Sequence, residues 1–359
     1  MNKNNFTSSP IRTYKKQNKP NPMRTLLVLL MTAIIIAAVV IFIMSLTGTG
    51  LFSDKKPAGE TKQTTPEQTT PEVTTPEITT PEITTPEVPD DPNAIKYSVI
   101  NKTAAQIGMG ELLLINEDHL YKFGEPDTLE SLYPAPSPHY YIGSSSLQLK
   151  YTVKEALDKM MAECYSKTAF NCFNVVTAYR DFDTQAGLHE NNPSGAVCAG
   201  ASDYHSGATL QFSGWDPVEK KSIDLKNSDG GKWLKQNAYL YGFVFRSAGK
   251  GSIVGYDITW QLRYVGLPHA EYMYVNNLCL EEYLERLSTD HRYVEGGKNN
   301  LTLECINGNI YQVYYAEGTT EEGAEAKIPV PSNRRFTISG DNVKGFIVTV
   351  LIYEGSQNN

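Results

Sequence analysis

One uninterrupted apolar run restricts the fold of this chain more than any other feature of the sequence. Residues 25–46, TLLVLLMTAIIIAAVVIFIMSL, are 22 amino acids without a charged side chain. At 1.5 Å per residue, a helix of this length crosses a bilayer core of about 30 Å. A cleaved signal peptide has a shorter apolar core of roughly 7–15 residues. We therefore predict a single-pass anchor in the cell membrane, with a cleaved signal or a buried soluble helix as alternatives.

Basic side chains precede this run. Residues 1–24 carry six Lys or Arg and no acid, so the positive-inside rule predicts a basic cytoplasmic tail and places the rest of the chain outside the cell. The formal net charge of the chain is −8, and leaving out those six positive charges leaves 26 basic against 40 acidic residues. An acidic external part argues against nucleic acid as a partner.

A repeat follows the apolar run. Residues 64–88 read TTPEQ TTPEV TTPEI TTPEI TTPEV. Proline in every pentad blocks helix and sheet, and Thr, Pro and Glu bury too little apolar surface to fold. We predict a disordered linker at 47–96, whose repeat would reach roughly 80 Å in an extended polyproline-like form. Such a spacer fits a domain held away from the membrane, in the zone of the cell wall.

The remaining sequence alternates helix and strand patterns, which predicts an α+β domain at 97–290. Helix patterns cover 152–166, the start of 230–246, and 278–287. Strand patterns cover an apolar run within 110–123 and the segments 173–180, 242–246 and 256–266. From about residue 299 the patterns are strand-like with turn residues between them. We expect residues 291–359 to form a small β-rich C-terminal extension.

The cysteines do not form a metal-binding pattern. They are Cys164, Cys172, Cys198, Cys279 and Cys305. None belongs to a Cys-x-x-Cys pair, which argues against a thiolate zinc site. An odd number outside the membrane leaves at least one thiol free or bonded to another chain. A Cys164–Cys172 bridge stays open at this stage, because sequence alone does not fix pairing.

Five blocks occur in an order that resembles a known family. The blocks are LLLINEDHLYKF at 112–123, TAYRDFDTQ at 177–185, ASDYHSGATLQF at 201–212, YLYGFVFR at 239–246 and WQLRYVGLPHAEYMYVNNLCLEEYL at 260–284. This order resembles the VanY-type D-alanyl-D-alanine carboxypeptidases, LAS-type zinc peptidases that remove the terminal D-Ala of peptidoglycan stem peptides outside the cytoplasm. The resemblance spans roughly residues 97–290 and implies a small antiparallel sheet flanked by helices.

The first motif of that family is Ser-x-His-x-x-Gly-x-Ala-x-Asp, in which the His and the Asp bind zinc. Aligned without gaps, this chain matches the motif at Ser202 and Gly207. Tyr204 stands at the histidine position and Gln211 at the aspartate position. His205 is one residue late, so it would serve as a ligand only if the segment shifted its register by one.

The second motif is Glu-Pro-Trp-His, an apolar residue, then Arg-Tyr-Val-Gly, with the Glu as general base and the His as third ligand. Ile258 occupies the base position and Gln261 the ligand position, while Trp260 keeps the pattern. Isoleucine accepts no proton, an amide oxygen is a weak zinc ligand, and the Tyr204 phenol has a reference pKa of about 10. We expect no intact catalytic residue and no bound zinc; zinc would be the cofactor only if the family chemistry survives on these atypical ligands.

The residues implied in substrate binding are better preserved. Arg180 and Gln185 match positions that line the family's cleft, and Tyr179 precedes them as the pattern requires. The resemblance implies that the Arg180 guanidinium binds a carboxylate of the stem peptide, since its fork-shaped geometry matches that group. A structural ion pair is the alternative for Arg180. Ser202 and Trp260 complete the expected substrate-binding set.

Three functions are compatible with this sequence. The first is a catalytically degenerate carboxypeptidase-like domain that binds peptidoglycan stem peptides or a cell-wall partner protein. The second is an active D,D-carboxypeptidase with atypical ligands. The third is a wall-spanning structural or adhesion protein that uses the fold as a scaffold. We favour the first, because the positions that carry the chemistry have changed while the surrounding scaffold is kept.

Overall fold

The computed structural model describes residues 94–135, 139–246 and 260–355, which belong to one compact unit. The anchor predicted at 25–46 lies outside these residues, as do the basic tail, the Thr-Pro-Glu repeat and Ile258. Within the described ranges, no helix is both long enough and apolar enough to cross a membrane.

Strands and helices alternate along the described chain, as predicted for an α+β fold. The strands are β1 (Tyr97–Thr103), β2 (Leu129–Ser131), β3 (Tyr141–Ile142), β4 (Gln148–Lys150), β5 (Phe173–Thr177), β6 (Thr209–Asp216), β7 (Lys221–Ser222), β8 (Phe243–Phe245), β9 (Gln261–Tyr264), β10 (Leu301–Glu304), β11 (Ile310–Glu317), β12 (Glu325–Pro331), β13 (Phe336–Gly340) and β14 (Gly345–Tyr353). The α-helices are α1 (Tyr151–Thr168), α2 (Phe182–Asn191), α3 (Asp229–Asn237), α4 (His269–Val275) and α5 (Leu280–Asp290).

The main sheet has the order β3-β5-β6-β9-β8, with β7 paired to β6. Its pairs are antiparallel except β3 with β5, which run parallel. The sheet is therefore antiparallel, as the resemblance implied, except at this one pair. The physical reason is the connection: parallel neighbours need a long crossover, and β4 and α1 supply it between β3 and β5.

Helix α1 covers one face of this sheet. The five apolar residues predicted to share a helix face are all fully buried: Val153, Leu157, Met160, Met161 and Cys164. They pack in one core cluster with sheet residues such as Leu210 and Leu262. Each such buried aliphatic side chain stabilises the fold by about 1.5–3 kcal/mol. The helix and its core face are confirmed.

The apolar run at 112–115 is buried but forms no strand, so the strand predicted within 110–123 is wrong. Side chains, together with the Asp341 carbonyl oxygen that accepts from the Leu114 N–H at 2.9 Å, replace a neighbouring strand as partners of its backbone. The Leu112 N–H donates to Ser339 Oγ at 2.9 Å, and Arg263 donates to the carbonyl oxygens of Glu111 and Leu113, each at 3.1 Å. Since buried backbone groups need partners of any kind, these bonds satisfy an irregular segment.

The C-terminal part is β-rich, as predicted. Strands β10, β11, β14 and β13 form a four-stranded antiparallel sheet in that order. Strand β1, at the start of the expected carboxypeptidase-like part, pairs along its whole length with β12 of the extension. The expected boundary after residue 290 thus lies inside one compact unit.

The five cysteines are unpaired, so the Cys164–Cys172 bridge is not formed. Burial raises the pKa of the Cys164 and Cys279 thiols to about 11. A protonated thiol is a weak nucleophile and a weak metal ligand. Cys164 therefore behaves as a small packing group at neutral pH, and the sulfur of Cys279 accepts the Glu282 N–H at 3.5 Å at the N-terminus of α5.

Candidate functional site

A cavity of about 270 Å³ lies at the end of the main sheet where β5, β6 and β9 meet the turn before β6. The structure brings six of the predicted site residues together in its wall: Arg180, Gln185, Ser202, Tyr204, Gln211 and Gln261. They come from sequence positions up to 81 residues apart, so the fold rather than local sequence assembles the site.

The three positions of the family's zinc ligands converge in one corner of this cavity, which we call the ligand corner. Gln211 on β6 and Gln261 on β9 are directly opposite each other in the antiparallel ladder. Opposite residues of such a pair have Cβ atoms about 4.5–5.5 Å apart on the same sheet face. The Tyr204 hydroxyl donates a hydrogen bond to Gln211 Oε1 at 3.3 Å.

The ligand corner does not fit a zinc ion. Its donors are two neutral carboxamides and a phenol whose pKa burial raises well above its ordinary value of 10. Because the Tyr204 proton is retained and already donated to Gln211, no anionic ligand is present. The described part of the chain contains no group of three or more His, Cys, Asp or Glu residues that could hold a metal ion.

His205 lies behind the cavity and has no free ring nitrogen. Its Nδ1 donates to the Arg180 carbonyl oxygen at 2.7 Å, and its Nε2 accepts from the Gly200 N–H at 3.0 Å. The ring stacks on Phe182 with centroids 4.4 Å apart, and burial lowers its pKa, so it is neutral at physiological pH.

The local backbone explains why His205 and Tyr204 point in different directions. Residues Asp203–Ser206 form a 3₁₀ helix rather than the strand of a hairpin. With three residues per turn, consecutive side chains are rotated by about 120°. Gly207 ends the turn with a φ of 66°, a left-handed conformation that favours glycine, and β6 begins two residues later.

Arg180 forms the charged part of the wall. It follows β5 beyond a register irregularity between Val175 and Thr177, the kind of bulge that redirects a strand next to a site. Its Nη1 donates to Gln185 Oε1 at 2.7 Å, and its guanidinium lies 4.8 Å from the Tyr204 ring centroid. No carboxylate of the described residues lies within salt-bridge distance, 4.0 Å, of Arg180.

Gln185 connects this arginine to the opposite wall. It is 1% exposed on α2, and its Nε2 donates to the Val197 carbonyl oxygen at 2.6 Å. The carboxamide therefore accepts from Arg180 on one side and holds the loop at Val197 on the other. This fixes the guanidinium toward the cavity without neutralising its charge.

Two predicted substrate-binding residues are not brought to the cavity. Trp260 packs against Phe245, with ring centroids 5.9 Å apart, and lies 5.0 Å below the Lys235 ammonium. Successive side chains of an extended segment point to opposite faces, which separates Trp260 from Gln261. Tyr179 is half-buried outside the wall and donates its backbone N–H to Gln148.

A buried charge network, which the sequence motifs do not predict, lies beneath the cavity. The Asp203 carboxylate contacts the Arg263 guanidinium, lies 3.2 Å from Arg246 Nε, and accepts from Thr209 Oγ1 at 3.0 Å. Arg246 also binds Glu281 with two bonds of 3.0 and 2.9 Å. Although burial alone raises the pKa of Glu281, Arg246 lowers it below its ordinary value.

The network determines the charge of the site. Its two arginines and two carboxylates cancel, so Asp203 adds no net negative charge to the wall. Arg180 is then the one charged side chain of the described wall without a partner of opposite sign. The only sequence signal for this arrangement was the position of Asp203 inside the first motif and of Arg263 inside the second.

Comparison with known proteins points to the same family as the two sequence motifs. A family model described as "VanY: D-alanyl-D-alanine carboxypeptidase" matches residues 146–267. A D-alanyl-D-alanine carboxypeptidase of Enterococcus faecium is 30% identical over 259 residues, which are 69% of this chain and 78% of that protein. A second one, from Enterococcus faecalis, is 44% identical over 55 residues, 15% of this chain and 20% of that protein.

A solved structure shares the fold. The vancomycin resistance D,D-dipeptidase VanXYg in complex with a D-Ala-D-Ala phosphinate analog has a TM-score of 0.57 and 23% sequence identity. The match covers 71% of this chain and 99% of that one. The arrangement of mixed helices and sheets described above is therefore of the VanY type.

Proposed function

The chain belongs to the VanY-type D-alanyl-D-alanine carboxypeptidase family, and we propose that its domain binds peptidoglycan stem peptides without hydrolysing them. The observation that carries this proposal is the composition of one cavity. Its ligand corner holds a neutral phenol and two carboxamides, while its wall keeps an arginine that no described carboxylate neutralises. The geometry gives no support to an active D,D-carboxypeptidase with atypical ligands.

Hydrolysis in this family depends on a metal that lowers the pKa of a bound water and on a carboxylate that takes its proton. The residues at the ligand positions cannot hold the metal, and Ile258 at the base position has no group that accepts a proton. A peptide that enters the cavity therefore meets no activated nucleophile. We infer that it is bound and released unchanged.

Binding relies on Arg180. A guanidinium that is partly withdrawn from water and unpaired favours an anionic ligand, because a charge-assisted hydrogen bond contributes about 1.5–3 kcal/mol. The carboxyl end of a stem peptide provides such a group. The structurally similar VanXYg was solved with a D-Ala-D-Ala phosphinate analog, which supports a ligand of the D-Ala-D-Ala type here.

The N-terminal part of the chain is compatible with a location outside the cytoplasm, where stem peptides occur. The apolar run at 25–46 and its basic flank favour a single-pass membrane anchor with a cytoplasmic N-terminus. The Thr-Pro-Glu repeat would hold the domain away from the membrane, in the zone of the cell wall. We therefore propose a membrane-anchored, extracytoplasmic binding protein.

Replacing Arg180 tests this proposal. We expect Arg180→Ala to weaken binding of a synthetic stem pentapeptide about 10- to 100-fold, as measured by isothermal titration calorimetry, because the ligand carboxylate loses its charged partner. The thermal midpoint should fall only modestly, since Arg180 makes no described ion pair and its removal breaks one hydrogen bond, the one to Gln185 Oε1.

Arg292→Ala is the matched control. Arg292 forms an exposed ion pair with Glu317 at 3.1 Å, and such pairs contribute little to stability. This variant should bind the pentapeptide like the wild type. A loss of thermal stability in Arg180→Ala that accounts for the loss of binding would return Arg180 to a structural role and contradict the proposal.

A further inference from the structure

Gln261 is buried without a hydrogen-bond partner for its side chain. It is 3% exposed, it lines the cavity, and its carboxamide bonds to none of the described residues. Its Oε1 and Nε2 are not among the described side-chain atoms that are sealed from solvent without a partner, so they open into the cavity. Because this carboxamide opens into a cavity with its donors and its acceptor unused, a ligand can bind to it there without breaking a bond of the fold.

Two neighbours leave further polar groups open. Gln211 accepts the Tyr204 O–H at its Oε1. The Gln211 Nε2 faces away from that contact, and its two N–H groups donate to none of the described residues. Ser202 is 3% exposed, lines the same cavity, and uses its hydroxyl in no bond within the described part of the chain. The ligand corner and the neighbouring Ser202 thus combine donors and acceptors without adding any charge.

The chemistry of these open groups specifies their partner. A carboxamide offers N–H donors and a carbonyl acceptor, and two of them face each other across β6 and β9. A secondary amide, with one N–H and one C=O, complements this pair. A ligand carboxylate has no donor, so it would leave the acceptor oxygen of Gln261 unpaired. The partner of the ligand carboxylate is Arg180. The cavity therefore matches an acylated amino acid, with a carboxylate and a neighbouring peptide bond.

We propose that Gln211 and Gln261 form a subsite that recognises the last peptide bond of the ligand, in place of the metal held by other family members. The proposal rests on the stem-peptide binding proposed above and adds its specificity. Gln261 accepts the amide N–H of the ligand, and the side-chain N–H groups of the two glutamines donate to its carbonyl oxygen. The cavity therefore selects a peptide bond over an ester, which has no N–H.

A pair of isosteric probes tests this selection in the purified full-length chain. One probe is Nα,Nε-diacetyl-L-Lys-D-Ala-D-Ala, and the other carries an ester oxygen in place of its last amide N–H. We expect calorimetry to show that the peptide binds roughly 10- to 100-fold more tightly than the ester, because the ester leaves the Gln261 oxygen unpaired.

Gln261→Leu separates recognition from folding. This variant should lose affinity for the peptide and bind both probes within about threefold of each other. Its thermal stability should stay close to that of the wild type, since the Gln261 side chain makes no hydrogen bond to the described residues and Leu has a similar volume. Gln236→Leu, at an exposed position of α3, is the control and should keep the preference for the peptide.

The outcomes distinguish the two proposals. Equal affinity of the wild type for both probes would overturn the amide subsite and leave stem-peptide binding intact. An unchanged peptide preference in Gln261→Leu would also overturn the subsite. If neither probe binds the wild type, stem-peptide binding itself is wrong, and the amide subsite is wrong with it.

Discussion

Asp203 keeps the cavity free of negative charge because two buried arginines bind its carboxylate. Arg263 is fully buried, and Arg246 is shared between Asp203 and Glu281. A buried ion pair adds little net stability by itself, but removing one partner leaves an uncompensated charge in a medium of low dielectric constant. The site thus depends on Asp203 for its structure, although the Asp203 carboxylate is bound by arginines and does not act on a ligand.

Removing the negative charge of Asp203 should therefore destabilise the fold strongly. Asp203→Asn should lower the free energy of unfolding by about 3–5 kcal/mol in a urea titration, because the excess positive charge of the arginines stays buried. Asp229→Asn is the control: Asp229 is exposed and 3.5 Å from Lys232, so its loss should cost less than about 1 kcal/mol. Equal stability of Asp203→Asn and the wild type would show that the network does not support the fold.

The sequence predicted the positions of some site residues and missed the role of others. The gapless alignment was sufficient to place Tyr204, Gln211 and Gln261 in one corner, because the motif carries its spacing with it. The same alignment could not identify Asp203 as a buried network centre. Its partners lie 43 and 60 residues away, and only the tertiary fold brings them into contact.

At the scale of elements, the register of β6 against β9 holds the ligand corner together. A slip of one residue would turn every side chain of a strand to the other sheet face. The register is fixed by burial, since Leu210 and Leu262 form the pair next to Gln211 and Gln261 and both are fully buried in the core. The corner therefore keeps the geometry of a ligand set although its chemistry has changed.

This geometry predicts that a metal site can be restored. The combined variant Tyr204→His, Gln211→Asp and Gln261→His places two imidazoles and a carboxylate at the converging positions, which is a donor set that zinc prefers. We expect it to retain about one equivalent of zinc after dialysis, as measured by mass spectrometry of the metal. Gln211→Asp alone is the control and should retain none. No zinc in the combined variant would mean that the three positions do not converge.

Elements with a strong pattern were predicted correctly, and those held by distant side chains were not. The periodicity of α1 was visible because its buried face repeats every three to four residues. The run at 112–115 has the composition of a strand, but the partners of its backbone, among them Ser339 and Arg263, are remote in sequence. A local pattern contains no information on such partners.

At the scale of the whole molecule, the C-terminal part is structurally tied to the carboxypeptidase-like part. Strand β1 pairs with β12 through seven residues. The buried ring of His269 on α4 bonds to Tyr283 of α5 at 2.7 Å and to Thr349 of β14 at 3.0 Å. Burial lowers the pKa of His269 to about 3, so this connection is neutral at physiological pH. The sequence pattern indicated two parts but not the pairing that joins them.

The central claim is that the whole protein binds its ligand and leaves it intact. Metal content and D-Ala release, measured together on the purified full-length chain with a synthetic stem pentapeptide, test it most directly. We expect no stoichiometric zinc, binding of the pentapeptide, and no free D-Ala even when zinc is added, because the ligand corner holds neutral groups and the base position an isoleucine. One equivalent of zinc together with steady release of D-Ala would contradict the account.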